Sequence, residues 1–183
     1  MPTNNEEIVL AGGCFWCTEE IFLRVPGVLD VVSGYSGGDT EYPSYEDVST
    51  GNTNHAECVK VTFDSSKIKL EKLLLIFFKT HNPTTLNYQG NDYGTQYRSA
   101  IFYTTENQRA IIQKVIDKIK DENIYENNIV TEVLPLKNFY RAEDYHQKFY
   151  RKNPNYGYCS VVINPKLDKL KELLVWKVKI RVI

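Results

Sequence analysis

Ile8-Val9-Leu10-Ala11-Gly12-Gly13-Cys14-Phe15-Trp16-Cys17-Thr18-Glu19-Glu20-Ile21-Phe22-Leu23 changes its periodicity half-way along. An unbroken apolar run, Ile8 to Ala11, gives way across two glycines to helical spacing. The run reads as a short buried strand, and the glycines permit the tight turn from strand to helix. Cys14 therefore falls at or just before a helix N-terminus, where unpaired N–H groups and the helix dipole favour an anion. A cysteine so placed is expected to be partly thiolate at neutral pH, and the thiolate is the reactive form. Lone cysteines are more often small buried hydrophobes. Here the turn, the helix start and the flanking aromatics make Cys14 the expected nucleophile.

Working outward, 183 residues suffice for one domain with a full core, and a single domain over 1–183 is expected. With 42% hydrophobic and 25% charged residues the composition is that of a soluble globular protein. A formal net charge of -1 leaves no electrostatic footprint for nucleic acid. No run approaches the length that crosses a bilayer. Met1 to Glu7 is polar and acidic, unlike a secretory signal, so a cytoplasmic location is expected. Cys14, Cys17, Cys58 and Cys159 are too scattered for a disulfide-stapled fold, and cytosolic cysteines that pair are usually catalytic or redox-sensing. His55, His81 and His146 lack ligand spacing, so no metal site is expected.

Along the chain, Val28 to Tyr35 reads as a strand and Ser36 to about Asn54 as a long polar loop carrying Tyr42 and Tyr45. Glu57 to Phe63 alternates as a half-buried strand. Its parity puts Glu57 with Val59, Val61 and Phe63, and Cys58 with Lys60 and Thr62 on a polar face. A carboxyl group on the apolar face has a raised pKa; one at the strand's first residue simply reaches water. Parity leaves both open. Ser66 is expected to cap a helix through Phe78, with His81 as a dipole partner at its end. Asp92 falls in a second polar loop, where an Asx-turn would account for it. Tyr97 to Tyr103 and Ile129 to Leu134 read as strands, with a helix opened by a capping box at Thr105 between them. A short helix over Ala142 to Tyr150, a coil carrying Cys159, a helix at Leu170 to Leu174 and an alternating tail from Val175 complete the reading. The order predicts an α+β fold, a ferredoxin-like sandwich of helices on a mostly antiparallel sheet with an irregular C-terminal tail from about 173.

Seven stretches, taken together, resemble the A-type peptide methionine sulfoxide reductases. They are Gly13-Cys14-Phe15-Trp16, Gly34 to Gly38, Pro43-Ser44-Tyr45, His55-Ala56-Glu57, Gly90 to Ser99, Ala142 to Gln147 and Asn153 to Cys159. Each alone is weak; all of them in the family's order make a specific match. The resemblance implies thiol-dependent reduction of methionine S-sulfoxide, free or in oxidised proteins, as repair after oxidative damage. It implies no bound cofactor, with thioredoxin or another dithiol as reductant. By the same resemblance Cys14 is the nucleophile and Glu57 the general acid. Phe15 and Trp16 hold the substrate methyl group, and Tyr45, Asp92 and Tyr97 orient the sulfoxide oxygen and Glu57.

A sulfoxide sulfur is a poor electrophile until its oxygen is protonated, so a desolvated acid must face that oxygen. Cys14 then becomes a sulfenic acid, which a second thiol condenses to a disulfide and an external dithiol reopens. Two resolving thiols are available. Cys17 is one helical step from Cys14, whereas Cys159 sits on a glycine-flanked coil expected to swing toward the pocket. Cys159 matches the usual family resolver, while Cys17 stands where many members have glycine. The expected order is Cys14–Cys17 first and Cys17–Cys159 second; the alternative is direct Cys14–Cys159 closure. A rival reading takes Cys14-Phe15-Trp16-Cys17 alone as the dithiol of a thioredoxin-like oxidoreductase. It leaves Glu57, Asp92 and the tyrosine-rich loops without a role.

Overall fold

The apolar run becomes the centre of β1 (Asn5–Gly12), with Ile8 to Ala11 wholly buried. In the computed structural model, which describes residues 4–175, the chain turns at Gly13 into α1 (Phe15–Leu23). Gly13 has φ +91°, and a Cβ there would lie 2.7 Å from Gln89 Cγ, so glycine alone fits the turn. Next come β2 (Val28–Ser36), α2 (Tyr45–Ser49), β3 (Ala56–Asp64) and α3 (Leu70–Thr80). A small hairpin, β4 (Tyr88–Gln89) and β5 (Asp92–Tyr93), precedes β6 (Ser99–Tyr103), α4 (Glu106–Asp121), β7 (Glu132–Pro135) and β8 (Phe139–Arg141). Then follow α5 (Phe149–Lys152), a π-helical turn over Cys159–Ile163 and α6 (Asn164–Val175).

A 6-stranded sheet has the order β7-β6-β1-β3-β2-β8, and every pairing is antiparallel except β6 with β7. Its inner part, β6-β1-β3-β2 with α1 and α3 as crossovers, is the β-α-β-β-α-β unit of the expected ferredoxin-like α+β sandwich. Strand alternation divides the side chains between two cores. Ile8, Leu10, Val59, Val61 and Phe63 pack with α1, α3, α4 and α6 in the larger. Val9, Ala11, Ala56, Cys58, Ala100 and Phe102 form the smaller, covered by Leu136 and Phe139. Cys58 thus lies on the face opposite Glu57, but that face is not polar there. Its thiol is buried and donates to Gly34 O at 3.4 Å. The segment returning over the sheet covers it, and even Lys60 lays its ammonium over the Phe139 ring.

That return depends on Gly34, opposite Arg141 in the β2–β8 pairing. A Cβ on Gly34 would overlap the Phe139 ring and lie 2.5 Å from Tyr140 O. Gly34→Ala should therefore cost about 1–3 kcal/mol, the range for overpacking a filled site. The measurement is urea unfolding: a lower midpoint at constant m-value is expected, and an unchanged midpoint counts against the contact.

Several local expectations give way to longer-range contacts. Ser66 bonds Asp64 instead of capping a helix, and α3 starts after Lys69 with no side-chain cap. His81 is no charged dipole partner. Its Nδ1 lies 2.6 Å from Phe77 O and its Nε2 2.8 Å from Ser99 Oγ, and burial pushes its pKa down to about 4. The long loop contains α2, opened by a Ser44–Asp47 capping box. Thr105 accepts from Gln108 N, but the Gln108 side chain turns to Thr104 N, so that box is half formed. Asp92 opens β5 rather than an Asx-turn. The sixth strand begins at Ser99, after a 3₁₀ turn over Thr95–Tyr97, and β7 is limited to Glu132–Pro135. Ala142 to Tyr150 splits into a 3₁₀ turn at Asp144–His146 and α5. Past Val175 the alternating tail lies outside the described residues.

Candidate active site

Cys14 is the N-cap of α1, and its carbonyl accepts the Cys17 and Thr18 N–H groups at 3.1 and 3.4 Å. A helix start leaves N–H groups without intrahelical partners. One of them, on Phe15, donates to Glu57 Oε2 at 3.0 Å. Glu57 thereby hangs from β3 against the first turn of α1, only 3% exposed and beside the Cys14 thiol. Of the two positions parity left open, the chain adopts the interior one. Burial raises the Glu57 pKa to about 8 despite the Phe15 bond, and the charges of Asp92 and Cys17 push the same way. At neutral pH this carboxyl group is an acid that still holds its proton.

The expected Cys14 thiolate is not what the site favours. Burial holds the Cys14 pKa well above the ordinary thiol value; the Cys17 contact and the Glu57 charge add to this, and the bond from Trp16 N–H opposes it. A helix start stabilises an anion through a few partial charges, whereas burial removes the whole hydration shell. Cys14 rests as a thiol. Cys17 goes the other way: its bond from Cys14 lowers its pKa against the cost of burial, with help from the Lys166 ammonium and the Tyr158 hydroxyl.

Around this pair the structure gathers the other predicted residues. Tyr45 from α2 and Tyr97 both feel the Glu57 and Cys14 charges; burial first, then Glu57, raises Tyr45 to about 12 and moves Tyr97 upward. Both stay protonated donors. Asp92 acts on Glu57, Tyr97 and Cys17 and accepts the Tyr158 hydroxyl at 2.5 Å. Phe15 is buried against Tyr35 and His146 at 5.8 and 5.0 Å between ring centroids. Trp16 is partly buried, stacked on Phe149 at 3.7 Å. Cys159 is the exception. It is no coil residue but opens the π-helical turn at 0% exposure. Ile163, Leu167 and Leu170, the apolar positions that follow, draw it into the larger core. Its charged form is opposed by burial and by Cys17, so Cys17 stands in electrostatic contact with both Cys14 and Cys159. All four cysteines are free.

The family model described as Peptide methionine sulfoxide reductase matches residues 6–177 of this chain. The chain belongs to the peptide methionine sulfoxide reductases. A curated relative, the peptide methionine sulfoxide reductase MsrA of Trichodesmium erythraeum, is 54% identical over 167 residues, spanning 91% of this chain and 94% of that protein. Among solved structures, Mxr1 from Saccharomyces cerevisiae in reduced form superimposes with TM-score 0.80 at 36% identity, over 85% of this chain and 89% of that one. Mxr1 in complex with Trx2 superimposes with TM-score 0.57 at 26% identity, over 79% and 84%.

For a peptide methionine sulfoxide reductase, the residues that sequence reading left without roles are those holding the aromatic wall. Trp16 Nε1–H donates to His146 Nδ1 at 3.0 Å. An indole nitrogen only donates, so His146 must carry its proton on Nε2 when neutral. Glu143 accepts the Tyr35 hydroxyl at 2.9 Å and the Tyr45 N–H at 3.0 Å, tying β2 to α2. Glu19 Oε1 accepts Lys148 N–H at 2.9 Å, beside Phe149. His146 and Glu143 had a sequence signal only in the matched Ala142 to Gln147 stretch, and Glu19 lies in none of the matched stretches.

Proposed function

We propose that this chain reduces methionine S-sulfoxide, free or in oxidised proteins, with Cys14 as nucleophile and Glu57 as general acid. The observation that carries the reading is the buried Glu57 carboxyl, fixed at Phe15 N–H beside the Cys14 thiol and protonated at neutral pH. As the substrate sulfur meets Cys14, Glu57 gives its proton to the sulfoxide oxygen and the sulfur becomes electrophilic. The resulting carboxylate takes the Cys14 proton, so the same residue that activates the substrate also releases the nucleophile. The Cys14 sulfur gains the oxygen, the sulfide leaves as methionine, and Glu57 ends protonated as it began. This route accommodates a resting thiol, which the helix-start argument alone did not.

Tyr45 and Tyr97 donate toward the oxygen, and Asp92 keeps the Glu57 proton in place by its charge. Phe15 and the Trp16 face supply apolar contact for the methyl group. Cys17, in contact with Cys14, closes the first disulfide; Cys159 exchanges in afterwards, which requires the π-helical turn to open. The complex of Mxr1 with Trx2 supports thioredoxin as the dithiol that reopens the bond. No further cofactor enters this scheme. Among the described residues no helix is long and apolar enough to cross a membrane, and the reading places the reaction in the cytoplasm, where that dithiol is found.

The test is anaerobic incubation with each epimer separately, without reductant, followed by methionine assay, thiol counting and disulfide mapping. The S epimer should give stoichiometric methionine with loss of a thiol pair, and the R epimer should be inert. Equal rates on the two epimers would refute the methyl and oxygen subsites. Recovery of Cys14–Cys159 alone, with Cys17 free, would remove the relay.

A further inference from the structure

Side chains from three distant parts of the sequence meet beside Cys17. Cys17 lies in the first turn of α1, Asp92 opens β5, and Tyr158 immediately precedes the Cys159 turn. The Cys17 thiol points at Tyr158 Oη across 4.0 Å, and the Tyr158 hydroxyl donates to Asp92 Oδ2 at 2.5 Å. The second length falls in the range of an O–H bond to a carboxylate, about 2.5–2.7 Å. The tyrosine ring is held edge-on to Trp16, with centroids 5.9 Å apart. Cys17 itself is 1% exposed, so its proton has no direct way out to water.

We propose that Tyr158 is a catalytic residue of the disulfide-closing step, its hydroxyl carrying the Cys17 thiol proton to the Asp92 carboxylate. The inference rests on the reading of Cys17 as first resolving thiol. As the Cys17 S–H bond breaks, its proton passes to the Tyr158 oxygen and the tyrosine's own proton passes to Asp92. The freed sulfur pair attacks the Cys14 sulfur; the S–S bond forms and the S–O bond breaks. The departing hydroxide takes the Glu57 proton and leaves as water. Cys17 sulfur is oxidised and Cys14 sulfur is reduced. Glu57 is left as a carboxylate, its proton having gone into the water, and Asp92 holds the proton relayed from Cys17 through Tyr158.

The groups facing Cys17 are compatible with this route. Besides Tyr158 and Asp92 they are the Cys14 thiol, Lys166 on α6, the Glu57 carboxyl on β3 and the Cys159 thiol. Lys166 favours the thiolate that the transfer creates. Because Tyr158 adjoins Cys159 in sequence, the proton path exists only while that segment is docked. Cys14–Cys17 closure therefore precedes the entry of Cys159.

The experiment is single turnover with methionine S-sulfoxide in a Cys159→Ser background, where Cys17 alone can close the bond. Closure is followed by quenched alkylation and mass mapping, and sulfenic acid by a dimedone-type trap. Tyr158→Phe keeps the ring against Trp16 and removes only the hydroxyl. It should slow closure about 10²-fold at neutral pH and make the sulfenic acid accumulate. The deficit should shrink as pH approaches the ordinary thiol pKa of about 8.5, where a growing fraction of Cys17 is already thiolate before closure begins. Asp92→Asn should show the same pH-dependent deficit. A parental closure rate in Tyr158→Phe, or a deficit equal at every pH, overturns the proton route while leaving Cys17 as resolver. Absence of any Cys14–Cys17 bond in the Cys159→Ser protein with Tyr158 intact overturns both.

Discussion

Cys14→Ser is expected to lower methionine formation by at least about 10⁴-fold, because on the proposed mechanism it removes the thiol that accepts the substrate oxygen as a covalent intermediate. A serine hydroxyl at this buried position stays protonated, and its oxygen is a poor nucleophile toward sulfur. Glu57 would still polarise the sulfoxide and the aromatic wall would still bind it, so affinity should change far less than rate. The check is single-turnover methionine release at saturating substrate, with a melting curve to show that the variant folds. Methionine release within about tenfold of the parent rate would remove Cys14 from the mechanism.

Glu57→Gln should slow the chemical step by about 10²–10⁴-fold, the usual range for a positioned acid. Glutamine keeps the volume and can still accept the Phe15 N–H through its amide oxygen, so packing is a small part of the effect. What it lacks is a proton to give and a carboxylate to receive the Cys14 proton. The pH profile separates these causes. Burial places the Glu57 pKa at about 8, so the acid form dominates below that value. The parental rate should therefore fall as pH rises through about 8, while the glutamine variant stays low and lacks that fall. Removing the glutamate charge also relieves Cys14 of one of the groups holding its pKa up, so the variant's residual rate should rise at high pH. A variant that lost only affinity, with an unchanged single-turnover rate, would contradict the assignment.

Local pattern alone determined much of this protein. The apolar run and the paired glycines specify a strand that turns into a helix with Cys14 at its start, because periodicity and φ preference act within a few residues. Strand parity put Glu57 and Cys58 on opposite faces, and the sheet keeps them there. The order of elements was enough for the ferredoxin-like class, and seven short stretches were enough for the family.

Tertiary structure decided everything that depends on burial. Whether Glu57 reached water or the interior turned on α1 packing across the start of β3, 42 residues away in sequence. The resting thiol of Cys14, the neutral His81 and the buried Cys58 all follow from neighbours that no local window contains. Cys159 shows the limit most clearly. Glycine and proline around it predict coil, yet the apolar positions that follow it fold into a π-helical turn and α6 and bury the thiol completely. The Tyr158–Asp92 bond joins residues 66 apart, and although both lie in matched stretches, local pattern gives them only loop propensity and no sign that they meet. Desolvation scales with what surrounds a group in space, and chain order fixes that only after the sheet has closed.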